Sequence, residues 1–214
     1  MISFDSLTEF NLVKIQASLT MKKISLADLL SIKEYEAQRP IIRKTIMEHK
    51  KTRRVPLGPN ATLHFEDYMV MRYQVLELMR AENISSETEL QQEIEAYNPL
   101  IPDGSNLKVT LMLEYPNPEE RKMRLSELIG IEETISIKLD GHEPVYPVAN
   151  EDLPRSTEEK TSAVHFLRFE FDEKAIKSAK KGASWIILCN HGKYHHAQKI
   201  ENKEIVKSLL RDFT

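Results

Sequence analysis

A chain of 214 residues, 41% hydrophobic and 29% charged, carries enough apolar material for a core without disulfide or metal staples. Its net charge of -3 argues against a general nucleic-acid binder, because no long face can be strongly basic. The single cysteine, Cys189, excludes an intrachain disulfide, a redox-active thiol pair, and an iron–sulfur cluster or four-cysteine zinc site held by this chain alone.

In chain order, residues 1–20 read as a weakly ordered N-terminal extension. Their acids and apolar residues follow no signal-peptide order, and Met21 offers an internal start. No apolar run approaches the roughly 18 residues of a membrane span, so a cytoplasmic protein without a membrane partner is expected. Residues 21–214 read as a single α+β domain. Ser25 caps a short helix through Leu30. A second helix is predicted to start at Pro40, whose fixed φ suits a first turn, and to run to about Arg53. Ile42 and Ile46 form its inward stripe, and the same spacing continues onto His49 and Arg53. Two extended pieces then flank a turn at Gly58, Pro59 and Asn60, and on the second piece His64 and Glu66 share one face.

Over residues 66–80 a helix at about 100° per residue has an apolar arc of Tyr68, Met69, Met71, Val75, Leu76, Leu78 and Met79. Arg72 falls near the middle of that arc. An arginine stays charged, so its burial needs an acid, an anion or a ring of acceptors, and Arg72 is the leading pointer to a site. Ser86 with Glu89 predicts a capping box for a helix ending near Tyr97. A loop of turn formers follows, then an alternating strand over 107–115 and a helix opened by Asn117 and Pro118 and closed by Gly130. Residues 134–139 and 145–148 flank Asp140 and Gly141, a hairpin signal. Strands over 164–171, 185–190 and 194–200, with helices over 173–181 and 203–213, complete the chain. The fold class is α+β: a helical N-terminal half packed on a mostly antiparallel β-sheet, with C-terminal helices.

Two constellations carry chemistry. His49, Arg53, Arg72 and Asn106 have the donors to hold a small anion, a carboxylate or phosphate, with Arg72 as the bidentate clamp of a polar pocket. Each also has a structural explanation: Arg72 in a buried ion pair with Glu114 or Glu170, and His49 and Arg53 as cations at a helix end emerging into solvent. Separately, His49, His64, Glu66 and His165 are the ligand types of a mononuclear iron, zinc or manganese site, and a metal-dependent enzyme is the alternative function. No spacing signature unites them. His165 shares its strand face with Ala163, Leu167, Phe169 and Phe171, where a satisfied core histidine is the commoner role. His64 and Glu66 fit a solvated face equally well. Glycine-rich phosphate loops and nucleophile elbows are absent from the sequence.

Three stretches, RRVPLGPNATLHFED (53–67), AYNPLIPDGSNLKVTLMLEYPNPEERKMRL (96–125) and EKTSAVHFLRFEF (159–171), resemble a bacterial family known as a domain of unknown function. The resemblance runs from about Met21 to the end. It carries no catalytic residue. It implies a setting, because genes of this family are often found beside a rubrerythrin and an iron–sulfur oxidoreductase: an accessory role in redox or peroxide metabolism, with those proteins as partners.

Overall fold

The computed structural model describes residues 22–214; the expected extension over residues 1–20 and the Met21 start lie outside the described residues. The protein is α+β, with six α-helices and eight strands among the described residues. The helices are α1 (Ile32–Lys51), α2 (Tyr68–Ala81), α3 (Glu87–Tyr97), α4 (Pro118–Glu127), α5 (Glu173–Lys180) and α6 (Lys203–Leu209). The strands are β1 (Arg54–Pro56), β2 (Ala61–Glu66), β3 (Asn106–Leu113), β4 (Ile135–Leu139), β5 (Val148–Ala149), β6 (Val164–Glu170), β7 (Trp185–His191) and β8 (Tyr194–Lys199). They form two sheets rather than one, ordered β1-β2-β3-β6-β5 and β4-β7-β8. Every strand pairing is antiparallel.

Side-chain alternation divides the five-stranded sheet into two unlike faces. On the inner face, register aligns Leu63 with Leu111 and Phe65 with Val109, and Val109 with Leu167 and Leu107 with Phe169. These side chains share one buried cluster with Ile137, Leu139, Trp185 and Ile187 of the smaller sheet and with Ala175, Ile176 and Ala179 of α5. Removing each large apolar side chain of this kind from water contributes roughly 1.5–3 kcal/mol, so the cluster is the main source of stability. The outer face alternates polar with apolar residues: Thr62, His64 and Glu66 from β2, Lys108, Thr110 and Met112 from β3, Val164, Phe166 and Arg168 from β6. The N-terminal helices stand over it. They hold their own smaller clusters, one around Tyr35, Leu76 and Met79, another around Tyr68, Met71, Val75, Ile94 and Ile101. Tyr35 and Arg39 of α1 both donate to Glu77 of α2, Arg39 through Nε at 2.7 Å and Nη2 at 3.0 Å.

Two expected elements differ. The second helix starts eight residues before Pro40, because Ser31 and Glu34 make a reciprocal capping box there, and Pro40 sits inside α1. The hairpin around Asp140 does not form as a ladder. A single bridge joins Ile137 to Val145, β4 pairs with β7, and Val148–Ala149 crosses to β6 in the other sheet. Pro144 and Pro147, on either side of Val145 and Tyr146, have no N–H to donate to such a ladder.

Candidate ligand-binding site

At the end of β2 two consecutive acids part company. Asp67 caps α2, its Oδ1 accepting from the Val70 N–H at 2.9 Å. Its Oδ2 lies 2.6 Å from His49 Nε2 and 3.4 Å from Arg53 Nε. Burial opposes the ionisation of Asp67, but the Arg53 cation, the His49 ring and the Val70 N–H outweigh it and hold its carboxyl at about 2. Arg53 is 2% exposed and its five N–H groups are all committed. Nε donates to the Phe65 carbonyl at 2.9 Å, Nη1 to the Ser208 carbonyl and hydroxyl at 3.2 and 3.4 Å, and Nη2 to the Glu66 carbonyl at 3.0 Å and Asp212 Oδ2 at 2.5 Å. That guanidinium joins α1, β2 and the C-terminal segment, with no N–H left for a ligand.

Glu66 turns the other way, onto the outer face. There α1, α2, the turn after α3 and the sheet enclose a cavity of about 540 Å³, with Glu66 and His64 in its lining. Glu66 is 7% exposed, and its Oε1 accepts from Thr110 Oγ1 at 2.6 Å. Burial raises its carboxyl above the ordinary carboxylate range, against the lowering effect of Thr110 and Lys50. His64, two residues back on the same strand, is depressed by burial and by Arg54, which favours the neutral ring. This ring makes no hydrogen bond to any described residue, and its Nε2 is buried. Met47, Met71, Met112, Val164 and Phe166 supply apolar wall, while Lys50, Lys51 and Arg54 place three cations around it. The arrangement suits an acceptor group at Glu66 and His64, an apolar body on the methionines, and a negative charge toward the lysines.

The anion constellation is thus divided. His49 and Arg53 meet at Asp67. Arg72 is only partly buried and does not line the cavity; its Nε donates to the Asp28 carbonyl at 2.6 Å. It pairs with neither Glu114, which accepts from Thr62 and lies 3.7 Å from Arg54, nor Glu170, which takes Arg168 at 2.6 Å. Asn106 is buried, but its Nδ2 is engaged by Asp103 at 2.8 Å and Glu170 at 3.3 Å.

The metal-type set is divided too. His64 and Glu66 lie on the outer sheet face, while His165, opposite Leu111, lies on the inner one. Its Nδ1 accepts from Asn150 Nδ2 at 3.1 Å, and its Nε2–H donates to the Ser162 carbonyl at 3.0 Å. Burial lowers its pKa and keeps it neutral. Among the described residues no three His, Cys, Asp or Glu side chains are grouped to share a metal ion. The sequence reading missed Thr110, Lys50, Met112 and Phe166. The signal was in the strand parity: a face holding Met112, Val164 and Phe166 beside His64 and Glu66 is too apolar to be left in water.

What fold and site define together is an α+β protein with a ligand-sized cavity between a helical layer and the outer face of a sheet. No helix among the described residues is long and apolar enough to cross a membrane. Residues 23–213 match the family model described as "Protein of unknown function (DUF3501)", and the chain belongs to that family. It is similar to a crystal structure of a novel protein of unknown function from Burkholderia pseudomallei: 41% identical, TM-score 0.85, covering 90% of this chain and 100% of that one. None of the curated proteins matches it.

Proposed function

We propose that the protein is an accessory binding protein that holds a small amphipathic organic acid in the outer-face cavity. The carrying observation is the outer-face cavity: Glu66, a buried carboxyl whose pKa is raised by burial, stands beside the unpartnered His64 ring, between apolar walls and a cationic side. The His64 imidazole can present an N–H to a ligand carboxylate, Glu66 adds an O–H donor in its protonated form, and Lys50, Lys51 and Arg54 balance the ligand's charge. Arg72 and Arg53 belong to the frame of this pocket rather than to its donors. The family resemblance adds the setting, a cytoplasmic redox or peroxide system with an iron–sulfur oxidoreductase or rubrerythrin nearby.

Native mass spectrometry with elemental analysis, on protein purified without tag or chelator, tests the reading. A co-purifying organic acid retained by Glu66→Gln and lost in Glu66→Leu is the expected result. A bare chain in every preparation, or an acid bound equally by Glu66→Leu, defeats it. A stoichiometric metal lost on changing His64 would favour the metal-dependent enzyme instead.

A further inference from the structure

A second cavity of about 840 Å³, sharing no lining residue with the first, opens between the loop at Gly182, Ala183 and Ser184, the end of β8, and α6 with the turn beyond it. Lys203, Val206, Lys207, Leu210 and Arg211 recur at three- and four-residue steps along that last element, so they fall on one side of it. Lys199 faces them from β8. The cavity is therefore lined by four cations against one carboxylate, Glu201, in a protein whose net charge is -3. None of the four cationic side chains makes a hydrogen bond or ion pair with a described residue. Four uncompensated charges around one concavity repel one another, and an anion removes that repulsion.

A second, independent observation comes from the wall. Trp185 lines the cavity, is 0% exposed, and its Nε1–H is buried without an acceptor. An indole N–H has no other polar use, and leaving it unpaired inside a fold costs about 1–3 kcal/mol. The ring is held by Phe213 at 6.2 Å and Phe171 at 6.2 Å, so it cannot turn easily to find a partner. Beside it Ile200, Val206 and Leu210 make an apolar strip.

We propose that this cavity binds a free phosphate monoester with an apolar body, its phosphate held among Lys199, Lys203, Lys207 and Arg211, an ester or phosphate oxygen accepting from Trp185. Dianionic phosphate matches several cations better than a carboxylate does. The site is independent of the organic-acid cavity on the outer sheet face.

Trp185 is the only tryptophan in the chain, so its emission reports on this cavity alone. Phenyl phosphate, titrated into the full-length protein at low ionic strength, is expected to change that emission saturably. Inorganic phosphate is expected to bind at least about tenfold more weakly for want of an apolar body. In Lys203→Glu/Lys207→Glu the affinity for phenyl phosphate falls by at least about tenfold, and in the wild type it falls steeply with added salt. If the double variant does not fold, Lys199→Gln/Arg211→Gln on separate elements replaces it; Trp185→Phe, followed by calorimetry, removes the donor alone. No saturable response to phenyl phosphate, or equal binding by folded charge variants, overturns the proposal. A response to phosphatidylglycerol vesicles without one to phenyl phosphate also overturns it, by assigning the cations to a membrane surface.

Discussion

Asp67 and Glu66 are neighbours in sequence with opposite electrostatic fates, and the difference is the company each keeps. Asp67 has an arginine, a histidine and a helix N-terminus; Glu66 has a threonine hydroxyl and a desolvating cavity. Replacing Asp67 by Asn keeps the cap but leaves His49 and Arg53 facing a neutral amide. Urea unfolding should show a loss of about 3 kcal/mol, the low end for a broken buried pair because Asp212 still faces Arg53. Glu66 has the opposite sign. Its pKa is higher folded than unfolded, so the stability it confers is complete below the ordinary carboxylate pKa and is lost as pH rises through the folded value. Glu66→Gln, which mimics the protonated form, should therefore be more stable than the wild type at alkaline pH, and the two should converge in acid. Equal pH profiles in denaturant titrations would show that folding leaves the Glu66 pKa unshifted. At this scale the sequence was informative about residue type and poor about neighbours. Arg72 stood out on its helical arc, yet it meets a carbonyl at the helix edge, while Arg53, read either as a donor to an anion or as a cation emerging into solvent, is the buried one. A wheel projection gives a direction and says nothing of how far the next element is.

Among elements, capping chemistry and turn residues were the dependable signals. Ser86 caps α3, Asn117 caps α4, and His191 pairs with Tyr194 across the β7–β8 turn, all as local side-chain chemistry dictates. The failures came where a local signal met a stronger one. Pro40 announces a helix start, but the capping box at Ser31 is a better one, and the helix carries the proline in its interior on an exposed position. Since that proline removes one hydrogen bond and crowds the preceding turn, Pro40→Ala should raise stability by about 1–3 kcal/mol, visible as a higher Tm. Gly58 works in the other direction. It turns between β1 and β2 with φ of 73°, and a Cβ there would lie 2.6 Å from the His196 ring and 2.7 Å from Tyr194 Oη. The same Tyr194 Oη donates to the Leu57 carbonyl at 2.7 Å, so this close approach fastens the β1–β2 turn to the smaller sheet. Gly58→Ala is expected to destabilise by roughly 1–3 kcal/mol through backbone strain and displacement of that tyrosine, and thermal unfolding would measure it.

For the molecule as a whole, the α+β class and the antiparallel pairing were legible because periodicity is a local property. The splitting of the strands into two sheets was not, because it depends on which strand β4 finds, a choice settled by Cys189, Ile187 and Trp185 lying opposite it more than 40 residues later. The outer-face cavity was half legible: His64 and Glu66 were placed together, and the helices that roof them were not. Acid response also belongs to this scale. His165, neutral within the core, has a folded pKa below its unfolded value, so its contribution is fully present above about 6.5 and is lost as pH falls. Unfolding free energy should decline from neutral toward mildly acidic pH by at most about 1.4 kcal/mol per pH unit for this one proton, and His165→Gln should flatten the decline.

Arg53 has one further consequence, in time rather than in space. When a growing chain has been made as far as residue 170, all five strands of the larger sheet exist, and Arg53 can already reach Phe65, Glu66 and Asp67. Ser208 and Asp212 come some forty residues later. Until then the cation has unfilled donors, and the sheet beneath it lacks the apolar cover that Leu209 and Phe213 bring. Folding during synthesis would thus remain reversible until the last dozen described residues arrive, and a ribosome stalled before Ser208 should carry a nascent chain that proteases still cut.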